Sequence, residues 1–434
     1  MRRLRLLLAG LLLVLAGCGN ASTQPGADTP GAAPAASTAP ATTGAAAITA
    51  PPAQPDTSNN GAAWLTSELT GTLTAALPPT PTGRDLLGSI DRVGGIALEG
   101  GDRPLWAVFS SGMRSYDPPQ PHFVAIYTRD GSTWRELGRV ELESADYVQA
   151  EGVQQVQISP DRRWIEIQSG AGAHSGCYDL LSFDGTTLKN ELSHCNDSPG
   201  AGYVADMDGD GANDVVLNQT LSYIFCYACG VRAPLFTVLR WGGTQLQNVE
   251  LTPLPESTPA TLREANNSAV RLAQAQLWKQ AQAAIEQADG TNDPTYRWNA
   301  ALIGLHASAR YREIADSPYP LLANLLYGDY DAALDVMRAY PPDQLFATPS
   351  PLVEGTVAEG FEDSLTYTIT STADLALAEQ PDLAAAHFLR GWAIHQSNPS
   401  DPAALAGIER AAQLKPDDQL FSGSVAVLKQ GTGG

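Results

Sequence analysis

Three stretches of this chain repeat one pattern: FVAIYTRDGSTW at 123–134, CYDLLSFDGTTL at 177–188 and LFTVLRWGGTQL at 235–246. Each passes from an apolar run through a two-residue turn containing glycine to a Ser or Thr. Trp134, Leu188 or Leu246 then stands at the third position past the glycine. A strand reverses in two residues where the turn accepts positive φ, which Asp-Gly and Gly-Gly do, so each stretch predicts a β-hairpin. A second hairpin is expected upstream of each, because IALEGGDRPLWAVF, VQQVQISPDRRWIEIQ and YVADMDGDGANDVVLNQ all read as strand, turn, strand. Two hairpins make a four-stranded unit, and the turn glycines Gly131, Gly185 and Gly243 stand 54 and 58 residues apart.

From residue 256 the pattern changes. After the loop LTPLPESTP, the stretch ATLREANNSAVRLAQAQLWKQAQAAIEQA is rich in helix formers, with apolar residues at three-to-four spacing. The fold class is therefore multidomain, β then α: a β-repeat domain at 64–255 and a helical domain at 256–434. Within the latter, Ala376 and Pro381 recur 35 residues on as Ala411 and Pro416, with Gly391, Ala404 and Ile408 between them. This spacing resembles the tetratricopeptide repeat, in which small residues let two antiparallel helices approach and proline ends the second. LLANLLYGDYDAALDVM, with its Gly328-Asp329-Tyr330 turn and Ala333, resembles another copy, and AQLWKQAQAAIEQA, with Trp278, Ala281, Ile285 and Ala288, a looser one. The array is irregular, with an interruption around ATPSPLVEGTVAEG. The resemblance implies an α-helical solenoid whose groove holds a protein or peptide.

The chain opens MRRLRLLLAGLLLVLAGCGN, three arginines followed by an apolar run too short to span a bilayer. That is signal-peptide layout, and Leu15-Ala16-Gly17-Cys18 resembles the bacterial lipobox. The resemblance implies removal of residues 1–17, lipidation of Cys18 and export to the outer side of a membrane, held by the lipid anchor alone. Residues 18–63 are an Ala/Pro/Thr/Ser tether with too little apolar surface to fold. In polyproline conformation it would reach about 100 Å. The net charge of −21 argues against nucleic acid and anionic lipid as partners, which require clustered Lys and Arg.

The stretch DMDGDGANDVVL at 206–217 is the candidate site. Asp206, Asp208 and Asp210 followed by Gly211 match the start of the D-x-D-x-D-G calcium loop, where alternate carboxylates converge because the glycine lets the chain fold back. An EF-hand then needs glutamate at position twelve and flanking helices. Position twelve is Leu217, and the flanks read as strands. The loop instead resembles the calcium-binding hairpins of FG-GAP and related propeller-like repeats. By that resemblance the ligands are Asp206, Asp208, Asp210, the Ala212 carbonyl and Asp214. Crowded carboxylates repel one another, and a hard dication relieves that. Oxygen ligands favour Ca2+, while Mg2+ demands a tighter octahedron. The expected role is structural, with an affinity of about 10⁻⁴ to 10⁻³ M typical of extracellular modules. The corresponding turns of the other units keep one aspartate each, Asp102 and Asp161, and are not expected to bind metal. Closed propellers have four or more blades, so three units imply an incomplete ring, open or packed against the helices.

Four cysteines remain in an exported chain: Cys177, Cys195, Cys226 and Cys229. The preferred reading is two disulfides, Cys177 with Cys195 closing a hairpin and Cys226 with Cys229 in a tight CxxC. The first would stabilise by about 3 kcal/mol through loop entropy. A four-cysteine zinc site lacks its second CxxC, and a thioredoxin-like redox pair lacks a βαβ setting.

No catalytic constellation emerges. HExxH, GxSxG and Walker motifs are absent, and Gly209 and Gly211 fail GxGxxG at Asp214. His174 and Ser175 are neighbours, which on a strand point to opposite faces. Trp106, Trp134, Trp164 and Trp241 are expected in β-unit packing, and Trp278, Trp298 and Trp392 between helices. The function expected is thus a non-catalytic, protein-binding or scaffolding lipoprotein of the cell envelope, not an enzyme. The alternative is a glycan-binding protein or hydrolase accessory whose site is assembled from dispersed residues, with glycan or protein held on the β domain.

Overall fold

Alternating apolar positions and glycine-bearing turns build fourteen strands among the described residues before the first α-helix. The computed structural model describes residues 92–116, 119–130 and 133–431, so the signal segment, Cys18, the tether and Gly131 lie outside the described residues. In chain order the strands are β1 (Arg92–Leu98), β2 (Leu105–Met113), β3 (Ser115–Tyr116), β4 (Pro119–Gln120), β5 (His122–Asp130), β6 (Thr133–Leu142) and β7 (Tyr147–Val156). There follow β8 (Arg163–Ala171), β9 (Ser175–Phe183), β10 (Leu188–Asn196), β11 (Gly202–Ala205), β12 (Asp214–Asn218), β13 (Phe236–Trp241) and β14 (Leu246–Asn248). The expected hairpins are all present: β1/β2, β5/β6, β7/β8, β9/β10, β11/β12 and β13/β14 pair antiparallel.

The three units assemble unequally. β2 forks: Leu105–Ser111 pair with β1 and Trp106–Phe109 with β5, while Gly112 and Met113 at its end pair with Val148 and Tyr147 of β7. The first two units thereby fuse into one eight-stranded antiparallel sheet, in the order β10-β9-β8-β7-β2-β5-β6 with β1 also on β2. This sheet curls until Gly138 of β6 lies over Leu188 of β10, forming a nearly closed barrel. The third unit, β11-β12-β13-β14, is a separate sheet.

Two-residue periodicity decides what each face covers. Ile165 and Ile167 of β8 and Leu181 and Phe183 of β9 fill the barrel with Phe109, Val124 and Ile126. Their alternates, Trp164, Tyr178 and Leu180, point the other way and pack on Val215 and Leu217 of β12. Trp241 meets Trp164 edge-on, with ring centroids 4.8 Å apart. Val216 of β12 and Val238 of β13 face away from the barrel and pack on Trp298 and Leu302. The third sheet is therefore covered on both faces, by β-structure and by helix. Trp298, expected between helices, packs a helix onto this sheet, because Val216 and Val238 present a flat apolar surface there.

Ten helices follow: α1 (Ala260–Gln274), α2 (Trp278–Ile285), α3 (Pro294–Asp316), α4 (Pro320–Tyr327), α5 (Tyr330–Met337), α6 (Pro342–Leu345), α7 (Glu362–Glu379), α8 (Ala384–Ser397), α9 (Pro402–Leu414) and α10 (Gln419–Gly431). Asp293, Asp329 and Asp401 cap α3, α5 and α9 by accepting backbone N–H groups of the first turn. Pro381 and Pro416 stand two residues past the ends of α7 and α9, where a residue without N–H cannot prolong a helix. α8 and α9 are in near backbone contact at Gly391, where a Cβ would lie 2.7 Å from the Ala404 carbonyl oxygen and 2.9 Å from Ile408 Cδ1. One continuous core including Trp278, Leu322, Leu365, Phe388, Trp392 and Phe421 runs through the helices. Ala288, read as part of a loose repeat, falls beyond the end of α2, while Ala281 and Ile285 are buried.

Candidate functional site

The 206–214 loop joins β11 to β12, and its shape is set by its own aspartates. Asp206 accepts the N–H of Gly209 at 2.9 Å on one oxygen and that of Gly211 at 3.0 Å on the other. Asp208 accepts from the Asp210 N–H at 3.2 Å, and Asp210 from the Ala212 N–H at 2.8 Å. Gly209 and Gly211 have φ of 72° and 88°, the left-handed conformation that lets the chain curl back over these carboxylates. The result is convergence: one oxygen from each of Asp206, Asp208 and Asp210 lies within 4.8 Å of the other two.

Asp214 does not join that group. It opens β12, is 3% exposed and accepts the Met207 N–H at 3.2 Å, bracing the base of the loop. Burial, opposed by that N–H and reinforced by the charges of Asp208 and Asp210, pushes its carboxyl up to about 6. Ala212 is exposed at the loop tip. Asn213 anchors the loop to the second unit by donating to the Gln157 carbonyl at 2.7 Å.

A cation from the helical part reaches the loop. Arg297 of α3 donates through Nε to the Asp208 carbonyl at 3.0 Å and through Nη2 to Oδ2 of the same residue at 3.3 Å. The Asp208 side chain is almost wholly buried, 1% exposed, while the Arg297 side chain remains 27% exposed, so water is kept from the carboxylate but reaches the guanidinium. Arg240 of β13 stands 3.9 Å from Asp210 in a more open position. Sequence reading missed both arginines. Arg297 is 89 residues from Asp208, and nothing in its local pattern marks it as a partner of the loop.

The other sequence candidates are dispersed. Cys177 is bonded to Cys195, its direct partner across β9 and β10, and Cys226 to Cys229 around the short 3-10 turn Tyr227–Cys229. The two pairs are separate and gather no four-sulfur cluster. His174 is held by three neighbours. Its Nδ1 is 3.1 Å from the Asp197 carbonyl, the Tyr223 hydroxyl stands 3.2 Å from its Nε2, and its ring stacks on Tyr227 at 3.9 Å. With both ring nitrogens so occupied, the imidazole does not address Ser175.

A second titratable cluster lies where α3 meets α2 and β13. His306 stacks on Trp278, with centroids 4.6 Å apart, and its Nδ1 accepts from Arg310 Nη1 at 3.0 Å. Burial, then the Arg310 charge, against a hydrogen bond to the Phe236 backbone, lowers the imidazole to about 4. In the unfolded chain it titrates near 6.5. As pH falls below 6.5 the unfolded state takes up the proton first, so stability present at neutral pH is lost between 6.5 and 4. The loss expected from this group is about 3 kcal/mol at pH 4. Urea unfolding of wild type and His306→Phe at pH 7.5 and 4.0 measures it. Wild type should lose about 3 kcal/mol more than the variant between the two conditions, and equal losses refute the assignment.

In comparisons with known proteins, the chain matches no protein-family model and no curated protein.

Proposed function

We propose that this chain is an exported, lipid-anchored binding protein without catalytic role, in which one calcium ion closes the 206–214 loop and the helical part holds a protein or peptide. The observation that carries the reading is the convergence of Asp206, Asp208 and Asp210 oxygens within 4.8 Å. Calcium holds oxygen ligands at about 2.3–2.6 Å, so ligands on opposite sides of one ion stand up to about 5 Å apart. The spread of these carboxylates suits that ion. Each carboxylate oxygen has two acceptor sites, so a single backbone N–H leaves capacity for a metal. Asp206, Asp208 and Asp210 would hold the ion, with the Ala212 carbonyl as a fourth donor by resemblance to FG-GAP loops and Asp214 supporting from below. The chemistry supplied is charge neutralisation.

The partner-binding half of the reading is supported by the α8/α9 pair, closed over Gly391, preceded by Pro381 and followed by Pro416, a layout that resembles the tetratricopeptide repeat. The three four-stranded meanders are read as propeller-like units. Export is supported by the lipobox resemblance and by two cysteine pairs at bonding distance.

Calorimetric titration of calcium into the metal-stripped full chain tests the ion. Binding at about 10⁻⁴ to 10⁻³ M is expected. At millimolar calcium it should stabilise folding by about 1 kcal/mol. Asp206→Asn with Asp210→Asn should abolish both effects. Absence of heat together with an unchanged unfolding midpoint overturns the proposal.

A further inference from the structure

A groove of about 430 Å³ runs between the segment that precedes the Cys226–Cys229 bridge and the first turns of α7. Leu221, Tyr223 and Ile224 line it from one element, Asp363 and Tyr367 from the other, and Asp197 lines it as well. Helical spacing explains the second wall. Leu365 and Ile369 are buried in the core, which leaves Asp363 and Tyr367, four residues apart, as neighbours on the outer face. The two walls are locked to each other: Phe225, next to Ile224, is buried and meets Phe361 at the start of α7 with ring centroids 5.7 Å apart. The Cys226–Cys229 bridge closes the turn that follows Phe225. Tyr223 is set by a hydrogen-bonded chain, its hydroxyl 3.2 Å from His174 Nε2, while His174 Nδ1 stands 3.1 Å from the Asp197 carbonyl.

The lining combines exposed apolar groups with one sign of charge. Leu221, Tyr223 and Tyr367 are three of the seven large hydrophobic side chains left exposed among the described residues, and Tyr367 is 74% exposed. Single exposed apolar residues are ordinary, but several gathered in one groove mark a contact surface. No Lys or Arg lines the groove, and the exposed Asp197 and Asp363 carboxylates are in no ion pair among the described residues. An anionic partner would meet like charge here, and so would a second copy of this chain, whose net charge is −21. A cationic side chain would gain both the carboxylates and the tyrosine faces. A small ligand needs about 70–90% of its surface covered, which walls as exposed as these do not provide. A peptide that continues beyond both ends of the groove has no such need.

We infer that this groove binds a basic, apolar-rich segment of a partner protein, with an Arg or Lys side chain between the tyrosine rings and the two carboxylates and neighbouring apolar residues over Leu221 and Ile224. The inference rests on the protein-binding reading of the chain and adds the place and chemistry of the partner. The test is fluorescence anisotropy of the full chain with three pools of dye-labelled octapeptides: one of Arg, Leu, Phe and Gly, one with Glu in place of Arg, and one with Ser in place of Leu and Phe. Unlabelled spermidine serves as competitor, and sedimentation reports self-association. The first pool should bind about tenfold more tightly than either of the others. Tyr367→Ser should weaken its binding about tenfold and Asp363→Asn about threefold. Both positions are exposed, so urea unfolding should be unchanged. Tyr311→Ser, exposed on α3 outside the groove, should bind as wild type does. Equal binding of the pools, preference for the acidic pool, spermidine binding as tightly as the peptides, or a wild-type dimer that Tyr367→Ser dissolves overturns the inference. Binding of the first pool that both groove variants retain also overturns it while leaving the protein-binding reading standing, and binding of no pool counts against both.

Discussion

Trp164→Ala is expected to destabilise the β region by about 4 kcal/mol, the range for removing a large aromatic from a packed core. Trp164 is wholly buried and packs with Tyr178 and Leu180 of its own unit against Val215 and Leu217 of the third sheet. Its indole N–H donates to the Ser159 hydroxyl at 3.0 Å, so the substitution also strips that hydroxyl of its donor. Relaxation is limited, because the neighbours sit on strands fixed by pairing on both sides. Chemical unfolding followed by far-ultraviolet circular dichroism measures the loss. A change below about 1 kcal/mol, the scale of a surface substitution, contradicts the packing described.

Trp392→Ala is expected to cost a similar amount, about 4 kcal/mol. The residue is 0% exposed on α8, in the core shared with Phe388 and Phe421, and its indole N–H donates to the Leu345 carbonyl at 2.9 Å. That carbonyl keeps a second donor, Gln396 Nε2 at 3.2 Å, so the loss is mainly one of volume and contact. Trp164 and Trp392 belong to different clusters with no shared partner, so the double variant should lose the sum of the two effects within about 0.5 kcal/mol. Unfolding midpoints of the two single variants and the double variant check both the magnitude and the additivity.

Local signals were legible in the sequence and distant pairings were not. The chain turns between β9 and β10 and between β13 and β14 at the expected glycines, Gly185 and Gly243, but each turn is centred one residue later than the Asp-Gly and Gly-Gly pairs: Asp184 N–H bonds the Thr187 carbonyl and Gly242 N–H the Gln245 carbonyl, leaving Gly185-Thr186 and Gly243-Thr244 in the middle. These turns were readable because a two-residue reversal depends on residues a few positions apart. Pro381, Gly391 and Pro416 marked helix ends and a close helix crossing for the same reason. The convergence of Asp206, Asp208 and Asp210 was readable because it is built within five residues. Three similar units nevertheless gave no sign that two would merge. That depends on Gly112 and Met113 choosing β7, more than thirty residues away. Trp298 was misplaced because helical spacing shows that a face is apolar and not what covers it. Arg297 was invisible, since a lone arginine on a helix carries no mark of the buried carboxylate it meets.

The position of the third sheet bears on how this protein can be divided. Val216 and Val238 owe their dry surroundings to Trp298 and Leu302, which lie on the far side of the sequence border near residue 255. A gene fragment cut at that border would leave a valine-rich sheet face wet, inviting self-association, and would strand the indole on the other piece. The third sheet and the helix that carries Trp298 and Leu302 therefore share one core and belong in one folding unit.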